Sequence, residues 1–301
     1  MELRHFCYFL AVAEELHFAR AAERLHIEQS PLSRAIKDLE SDLGVRLLER
    51  TTRSTHLTWA GQVLLTEARR VLTTFEQAVS TTKAAATGYR GTLRIALSDG
   101  VAQPWFAALL AQCREEEPDV EIRLFEVALA DQIKGLRSNL YDASFALASK
   151  PAEGITAQAV WADPLMIAVP ARHPLLAHKR IPLVELIHYP LVLCHPEQCE
   201  GYYRQIELIL RAAPTKIIVA EHASTFDLMM TLVAAGYGLS FAKASHLAFC
   251  RHPEIVSRPL AGKPQVLTTY LLRSTAELSE PLNRFITRAM TMENSHTAIQ
   301  A

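Results

Sequence analysis

The chain has 301 residues, of which 50% are hydrophobic and 21% are charged, enough for roughly two domains with apolar cores. This composition excludes general disorder, and no apolar run approaches the roughly 18 residues that a membrane-spanning helix needs. The formal net charge of −1 gives no overall basic character, so contact with nucleic acid has to come from a local patch.

The cysteines and the N-terminus indicate the compartment. Five cysteines, an odd number, are scattered along the chain without regular spacing, which argues for a reducing compartment and against a disulfide framework. The N-terminus carries Glu2 and lacks the small-residue cleavage pattern of a signal peptide. We therefore expect a soluble cytoplasmic protein that does not contact a membrane.

The first sixty residues predict three short helices. Hydrophobic residues recur at helical spacing over 3–13, and 18–25 fit a second helix. Ser30 followed by Pro31 predicts the start of a third helix, with the serine as N-cap, and Gly44 predicts its end.

The outward face of the third helix has residues suited to reading DNA. Its hydrophobic side chains fall on one stripe, and the opposite stripe carries hydroxyls and cations without a carboxylate: Ser30, Ser33, Arg34, Lys37 and Ser41. Cations donate to guanine edges or phosphates, and Gln29 at the helix start suits adenine. The alternative at this point is a polar face that is merely solvated.

A short hairpin is predicted after this helix. Two β-prone runs within 45–58 flank a polar turn and carry Arg46, Arg50 and Arg53. This is the layout of a winged helix-turn-helix, in which one helix enters the major groove and the wing contacts phosphates or the minor groove.

Residues 11–61 resemble the helix-turn-helix of the LysR family of bacterial transcriptional regulators almost end to end. The matching blocks are Phe18 with AAERL (21–25), Gln29, LSR (32–34), LE (39–40), LGV with a leucine and ER within 43–50, and LT with AG within 57–61. The resemblance implies that Gln29, Ser33 and Arg34 face the groove. Ser30-Pro31 and Trp59 depart from the family's usual residues, and the first departure bears on base preference.

A long linker helix is predicted next. After Thr58, a predicted N-cap, residues 60 to about 87 contain no proline. Their hydrophobic stripe seats either against a second copy or against its own domain: Leu64, Leu65, Ala68, Val71, Leu72, Phe75, Ala78, Val79 and Thr82. Pairing would match the two-fold half-sites of a pseudo-palindromic operator. The resemblance implies an antiparallel helix pair in a homodimer, commonly assembled to a homotetramer.

The remainder of the chain alternates strand and helix, which predicts parallel sheets with right-handed crossovers. The predicted strands are 92–97, 120–126, 142–148, 164–170, 191–194, 216–221, 238–242 and 266–273, with helices at 101–116, 130–140, near 183, and at 202–212, 224–235 and 278–292. The pattern restarts near Pro164, which predicts two lobes. It resembles the periplasmic-binding-protein fold that LysR effector domains share.

The predicted fold class is therefore an α+β multidomain chain. It has a winged helix-turn-helix (1–58), a linker and dimerisation helix with a hinge at Gly88 and Gly91 (59–90), a two-lobed α/β effector domain (91–293) and a disordered tail (294–301). Lobe I is expected at about 91–162 and 267–293, and lobe II at about 163–266.

A ligand cleft is expected between the lobes, because ligands of open α/β sheets sit at the carboxyl ends of the strands. This rule selects Ser98, Asp99, Gly100, Leu129, His195, Gly201, Tyr202, Thr225 and Phe226. The resemblance implies that Ser98 donates to a ligand carboxylate and that the loop of Tyr202 closes on the ligand. Asp99 departs from an anion-binding pattern, since a carboxylate repels an acidic effector. Each residue taken alone is alternatively a strand-end or helix-cap residue.

Cys194 and Cys199 frame CHPEQC in one of these loops. They are either ordinary thiols or a redox switch that closes a disulfide, as one branch of the resembled family does with two cysteines in this domain. A metal site that includes His195 lacks a fourth ligand, so no metal and no cofactor are expected.

The expected function is a regulator rather than an enzyme. The sequence contains no glycine-rich phosphate loop, no G-x-S-x-G elbow and no paired metal-ligand motif. A solute receptor would need a secretion signal and would leave 1–60 unexplained. We expect a protein that binds double-stranded DNA under the control of a small-molecule effector. The resemblance implies activation of a neighbouring operon, repression of its own gene and contact with RNA polymerase.

Overall fold

The structure, a computed structural model, describes residues 1–50, 55–86, 91–98, 100–101, 104–149, 153–213, 215 and 217–297. The chain divides into two compact units. The first comprises residues 1–83, with the short segment 138–140 assigned to it, and the second comprises the other residues from 84 to 301.

The first unit contains three short helices, a hairpin and most of a long helix, whose residues 84–86 belong to the second unit: α1 (Leu3–Glu15), α2 (Phe18–Arg24), α3 (Gln29–Leu43), β1 (Leu48–Arg50), β2 (Thr55–Leu57) and α4 (Trp59–Ala86). Its core is built from the apolar stripes of the three short helices, with Phe9, Val12 and Ile36 completely buried. Strand β1 pairs antiparallel with β2, as the predicted wing requires. The predicted winged helix-turn-helix is confirmed.

The start of α3 differs from the prediction. The helix begins at Gln29 with Glu28 as its N-cap, and no side chain caps it, so the predicted capping role of Ser30 is wrong. Pro31 is the third helical residue. Its missing amide needs no partner there, because the first amides of a helix have no intrahelical acceptor.

The other two predicted helix ends are correct. Gly44 ends α3 in the left-handed conformation, with φ of 66°, which a residue with a side chain adopts only at a cost. The Thr58 hydroxyl accepts a hydrogen bond from the Gly61 amide at 3.0 Å and so caps α4.

The second unit is a mixed α/β structure. Its strands are β3 (Gly91–Leu97), β4 (Val120–Glu126), β5 (Ala143–Ala146), β6 (Ile155–Pro170), β7 (Leu191–Cys194), β8 (Val219–Ala223), β9 (Ser240–Lys243), β10 (Ile255–Pro259) and β11 (Val266–Ser274). Its helices are α5 (Pro104–Glu116), α6 (Leu129–Arg137), α7 (Leu183–Leu186), α8 (Glu200–Leu210), α9 (Phe226–Ala234), α10 (Ala244–Cys250) and α11 (Glu280–Thr297), with a 3-10 turn at Pro174–Ala177.

Strand β6 runs through both lobes. Its first part pairs antiparallel with β11, which continues the lobe I order β11-β5-β3-β4, and its second part pairs with β9 and β10 in lobe II. Strand β7 pairs parallel with β8 and adjoins β9 through a bridge between Leu191 and Leu239. The two lobes therefore share a strand.

Several features of this unit were not predicted, among them the 3-10 turn at Pro174–Ala177. The sequence prediction began the crossing strand at 164 and missed its first part, where alanine, glutamine and aspartate give weak β-propensity. It also missed α10 and β10, which both lie within 244–259. At the end of the chain, α11 continues to Thr297, so 294–297 are helical rather than disordered, and 298–301 lie outside the described residues.

Candidate functional site

The exposed face of α3 carries the residues predicted to read DNA. The opposite stripe of the helix, which includes Leu32 and Ile36, is completely buried. The polar residues on the surface are Gln29, Ser30, Arg34, Lys37 and Ser41, with Ser33 half-buried. Within the part of the chain that the structure describes, neither Arg34 nor Lys37 forms an ion pair. Both cations are available to phosphates or guanine edges.

This face also contains carboxylates that the sequence analysis left out. Asp38 is exposed one helical turn after Arg34, where side chains four residues apart are neighbours. Asp42 forms an ion pair with the N-terminal ammonium of Met1 at 2.8 Å. The hydrogen bond from this ammonium lowers the pKa of the Asp42 carboxyl. The chain's own terminus thus offsets one of the two negative charges.

Glu40 holds the wing against α3. Its Oε1 accepts hydrogen bonds from the amides of Leu47 at 2.7 Å and Leu48 at 3.1 Å, at the point where β1 begins. Hydrogen bonds to a charged acceptor are worth more than neutral ones. The direction in which the chain leaves α3 therefore depends on this carboxylate.

The wing arginines are only partly described. Arg46 is exposed just before β1, and Arg50 is the last residue of that strand. The side chain of Arg50, and Arg53 as a whole, lie outside the described residues.

Glu14 joins three helices of the same unit. This residue of α1 forms ion pairs with Arg24 of α2 and Arg69 of α4, both at 2.8 Å. Burial acts to raise the pKa of the Glu14 carboxyl, but the hydrogen bonds from Arg69 and Arg24 outweigh it, so the pKa lies below its usual value. This cluster fixes the start of the long helix relative to the helix-turn-helix.

A cavity of about 510 Å³ lies between the two lobes of the second unit. Lobe I contributes Ser98, Gly100, Glu126, Val127 and Ala128, which follow or end strands β3 and β4. Lobe II contributes the residues that begin α8 and α9 together with side chains of α10. The cavity is therefore at the carboxyl ends of strands, as the fold class predicts.

The predicted effector residues divide into two groups. Those that line the cavity are Ser98, Gly100, Thr225 and Phe226. The residues Leu129, His195, Gly201 and Tyr202 are not among its described lining, and Asp99 lies outside the described residues. The convergence of loops from both lobes was predictable, whereas the identity of the inward-facing side chains was not.

Tyr202 supports the cavity wall from behind. Its side chain is completely buried, its hydroxyl donates to the carbonyl oxygen of Phe241 at 2.7 Å, and its ring meets Phe226 edge to face at 4.9 Å. Burial raises the pKa of Tyr202 well above its usual value, which keeps the phenol protonated as a donor. Tyr202 therefore orients Phe226, which does line the cavity.

The lobes touch at Gly100. This residue has φ of 59°, and a Cβ added to it would lie 2.9 Å from a ring carbon of Phe226. The ammonium of Lys243, a buried residue of β9, donates to the Gly100 carbonyl oxygen at 3.4 Å. Only glycine allows lobe I to approach the start of α9 this closely.

Thr225 caps α9 and also lines the cavity. Its hydroxyl oxygen accepts a hydrogen bond from the Leu228 amide at 3.2 Å and so caps α9. A capping hydroxyl uses its oxygen as acceptor and keeps its O–H free to donate. A ligand acceptor in the cavity can therefore bind Thr225 without uncapping the helix.

The polar lining of the cavity is acidic rather than basic. Glu126 and Asp227 both line it, and no lysine or arginine is among its described lining residues. Burial lowers the pKa of the lining His246, against an opposing effect of the Asp227 carboxylate, and this favours a neutral imidazole. Such a lining favours neutral or cationic ligands over anions.

All five cysteines have free thiols, and Cys194 and Cys199 are both buried. Cys199 lines the cavity just before α8, whereas Cys194 ends β7 and is not among the described lining residues.

Among the helices that the structure describes, none has the length and hydrophobicity that a membrane span requires.

Comparison with known proteins identifies both units. The model of the bacterial regulatory helix-turn-helix protein, lysR family, matches residues 3–62, and the model of the LysR substrate binding domain matches residues 86–292. The uncharacterized HTH-type transcriptional regulator YnfL of Escherichia coli is 35% identical over 81% of this chain and 83% of its own length. The HTH-type transcriptional regulator AlsR of Bacillus subtilis is 31% identical over 81% of each chain.

A solved structure of similar fold contains DNA. The crystal structure of full-length CbnR complexed with its target DNA superposes with a TM-score of 0.77 at 27% identity, covering 97% of this chain and 100% of that one.

Proposed function

Since this chain belongs to the LysR family of transcriptional regulators, we propose that it binds a pseudo-palindromic operator as a homodimer that assembles to a homotetramer. We also propose that a small molecule in the cavity between the lobes controls this binding. The chain is a DNA-binding regulator with an effector-binding domain. The observation that carries the finer proposal is that the cavity is lined from both lobes. A ligand that contacts both walls changes the free energy of lobe closure.

Recognition of DNA is assigned to the exposed face of α3. Arg34 and Gln29 read base edges, with Ser33 beside them, and Lys37 binds phosphate or a guanine edge. Because no side chain caps α3, its first amides and Ser30 are suited to a phosphate. Arg50 and Arg53 of the wing are proposed to bind the flanking backbone.

Dimerisation is assigned to an apolar stripe on α4. Val71, Phe75 and Val79 are 42%, 51% and 39% exposed, although each is a large hydrophobic residue. A row of such side chains at three- to four-residue spacing favours pairing with a second copy of the same helix. Two copies then present two recognition helices to two half-sites.

The effector is proposed to be a neutral or cationic small molecule. Ser98 and the O–H of Thr225 supply hydrogen bonds, Phe226 supplies apolar contact, and Glu126 disfavours an anion. This differs from the carboxylate ligand that the resemblance implies for Ser98. Effector binding shifts the population of lobe arrangements, and a shift of a few kcal/mol is enough to change operator occupancy. RNA polymerase is a further proposed partner, in the bacterial cytoplasm.

The experiment is thermal unfolding of the full chain with matched panels of cationic, neutral and anionic metabolites. A ligand at about 100 times its dissociation constant adds roughly 2.7 kcal/mol to stability. We expect a shift with a cationic or neutral compound. Glu126→Gln should weaken this shift for a cation, and Leu208→Ala, a change outside the described lining, should leave it unchanged. A shift confined to anions would contradict the assigned ligand class. A shift that Glu126→Gln and Ser98→Ala leave intact would contradict the assigned cavity.

A further inference from the structure

Three side chains of lobe II bring different metal-binding atoms together in the cavity. Asp227, His246 and Cys250 each offer one ligand atom, and these atoms all lie within 4.8 Å of one another. All three residues line the cavity. A carboxylate oxygen, an imidazole nitrogen and a thiol sulfur form a mixed set that suits a borderline-soft divalent ion.

The backbone explains why the three meet. His246 and Cys250 are four residues apart on α10 and therefore share one face of the helix. Two ligands at this spacing on one helix are a recurrent way of holding zinc. Asp227 is the second residue of α9, which begins at the same side of the cavity. The cluster belongs wholly to lobe II, so its geometry does not depend on lobe closure.

The observed separation fits a tetrahedral ion. The Cys250 sulfur and the Nε2 of His246 lie 3.4 Å apart. Ligands at the zinc–sulfur and zinc–nitrogen bond lengths of about 2.3 and 2.05 Å, placed at a tetrahedral angle, would be ~3.6 Å apart. The ring of Phe226, with its centroid 5.4 Å from that of His246, limits the positions of the imidazole.

We propose that Asp227, His246 and Cys250 bind a divalent transition-metal ion of the zinc class in the cavity, with the fourth position open to water or to a donor atom of the effector. Three protein ligands and one open position are the arrangement of zinc sites that take up an exchangeable ligand. The Asp227 carboxylate and the Cys250 thiolate balance the two positive charges of the ion, so Glu126 still disfavours an anionic effector. This inference rests on the proposed function only in placing the ion and the effector in one cavity.

The test uses the purified full chain, stripped of metal with a chelator and kept reduced with a phosphine. Cobalt(II) is the probe, because a tetrahedral site gives visible ligand-field bands and a bound thiolate adds a near-ultraviolet charge-transfer band. We expect one equivalent of cobalt with both signatures, and displacement of the cobalt by Zn²⁺. Cys250→Ser should remove the charge-transfer band. His246→Ala and Asp227→Asn should raise the dissociation constant about 100-fold or more, since even outer-shell changes typically cost about 10- to 100-fold.

Matched controls separate this site from other thiols and imidazoles. Cys7→Ser removes another half-buried thiol, and His188→Ala removes an exposed imidazole; both should leave the cobalt spectrum unchanged. Circular dichroism of each variant checks its fold, and Cys250→Ser is close to isosteric. A spectrum without thiolate character, or a charge-transfer band that survives Cys250→Ser, would overturn the proposal. In that case the 3.4 Å contact is a hydrogen bond between thiol and imidazole, and the panel of organic ligands still tests the proposed function separately.

Discussion

Replacement of Phe75 by alanine should dissociate the proposed dimer. The side chain of Phe75 is 51% exposed on α4, and a phenylalanine offers about 200 Å² of surface, so roughly 100 Å² is available to a partner. At about 25 cal/mol per Å², and allowing for the methyl group that remains, each copy loses about 2 kcal/mol. A two-fold dimer loses this twice, about 4 kcal/mol, which corresponds to roughly a thousandfold weaker association.

Sedimentation velocity over a range of protein concentrations measures this effect directly. Leu208→Ala is the control, because Leu208 is a 62% exposed hydrophobic residue that belongs to α8 and not to the proposed stripe. We expect Phe75→Ala to raise the dimer dissociation constant by two to three orders of magnitude, about the size worked out above, and Leu208→Ala to leave it unchanged. Equal association of wild type and Phe75→Ala would refute the assignment of this stripe to the dimer interface.

Two further substitutions test the packing of each unit. Glu117 accepts hydrogen bonds from Arg288 at 2.6 Å and from Arg284. Burial acts to raise the pKa of the Glu117 carboxyl, but these hydrogen bonds outweigh the effect of burial. The folded pKa therefore lies below the unfolded value of about 4.3. The stabilisation by the Glu117 carboxylate is therefore present above that value and lost as the pH falls through the folded pKa. Glu117→Gln should lower the free energy of unfolding in urea by about 1 to 2 kcal/mol at pH 7, and this difference from wild type should shrink below pH ~4. A difference that is independent of pH would contradict this account. In the first unit, Glu40→Ala should leave the amides of Leu47 and Leu48, at the start of β1, without their acceptor. This should lower the free energy of unfolding by about 1 to 3 kcal/mol and speed hydrogen exchange of these two amides. Amides that stay protected at both positions would show that another group holds the wing.

Local signals predicted much of the fold. Gly44 and Thr58 mark helix ends through their own backbone and hydroxyl chemistry, so each was readable from its immediate neighbours. Pro31 was misleading because proline fits any of the first helical positions, and the structure places it at the third rather than the first.

Contacts between distant segments were less predictable. The amides that Glu40 binds are seven and eight residues away, on the other side of a turn, and no periodicity reports such a contact. Strand β6 is stabilised in its first part by β11, more than a hundred residues later, which overrides its weak local propensity. The cluster in the cavity depends on α10, a helix that the sequence analysis missed, and on Asp227, nineteen residues before His246.

Among the functional residues, too, local signals were predictable and long-range contacts were not. Thr225 was selected because it begins a helix at a strand end, and it does line the cavity while capping α9. Tyr202 was selected by its loop, but the direction of its side chain depends on an acceptor in β9, the Phe241 carbonyl, which the sequence does not place near it. Loop positions follow from topology, whereas side-chain directions follow from tertiary contacts.

The measurement that tests the central claim most directly compares operator binding by wild type and Arg34→Ala. A duplex selected by the wild-type chain from a random pool serves as the operator, and fluorescence anisotropy at moderate salt gives its affinity beside that of a scrambled duplex. We expect Arg34→Ala to lose about 1 to 3 kcal/mol of discrimination, roughly 5- to 150-fold, while circular dichroism shows an unchanged fold and the control Arg172→Ala binds as wild type does. Unchanged preference of Arg34→Ala for the selected duplex would contradict recognition of DNA by this face of α3.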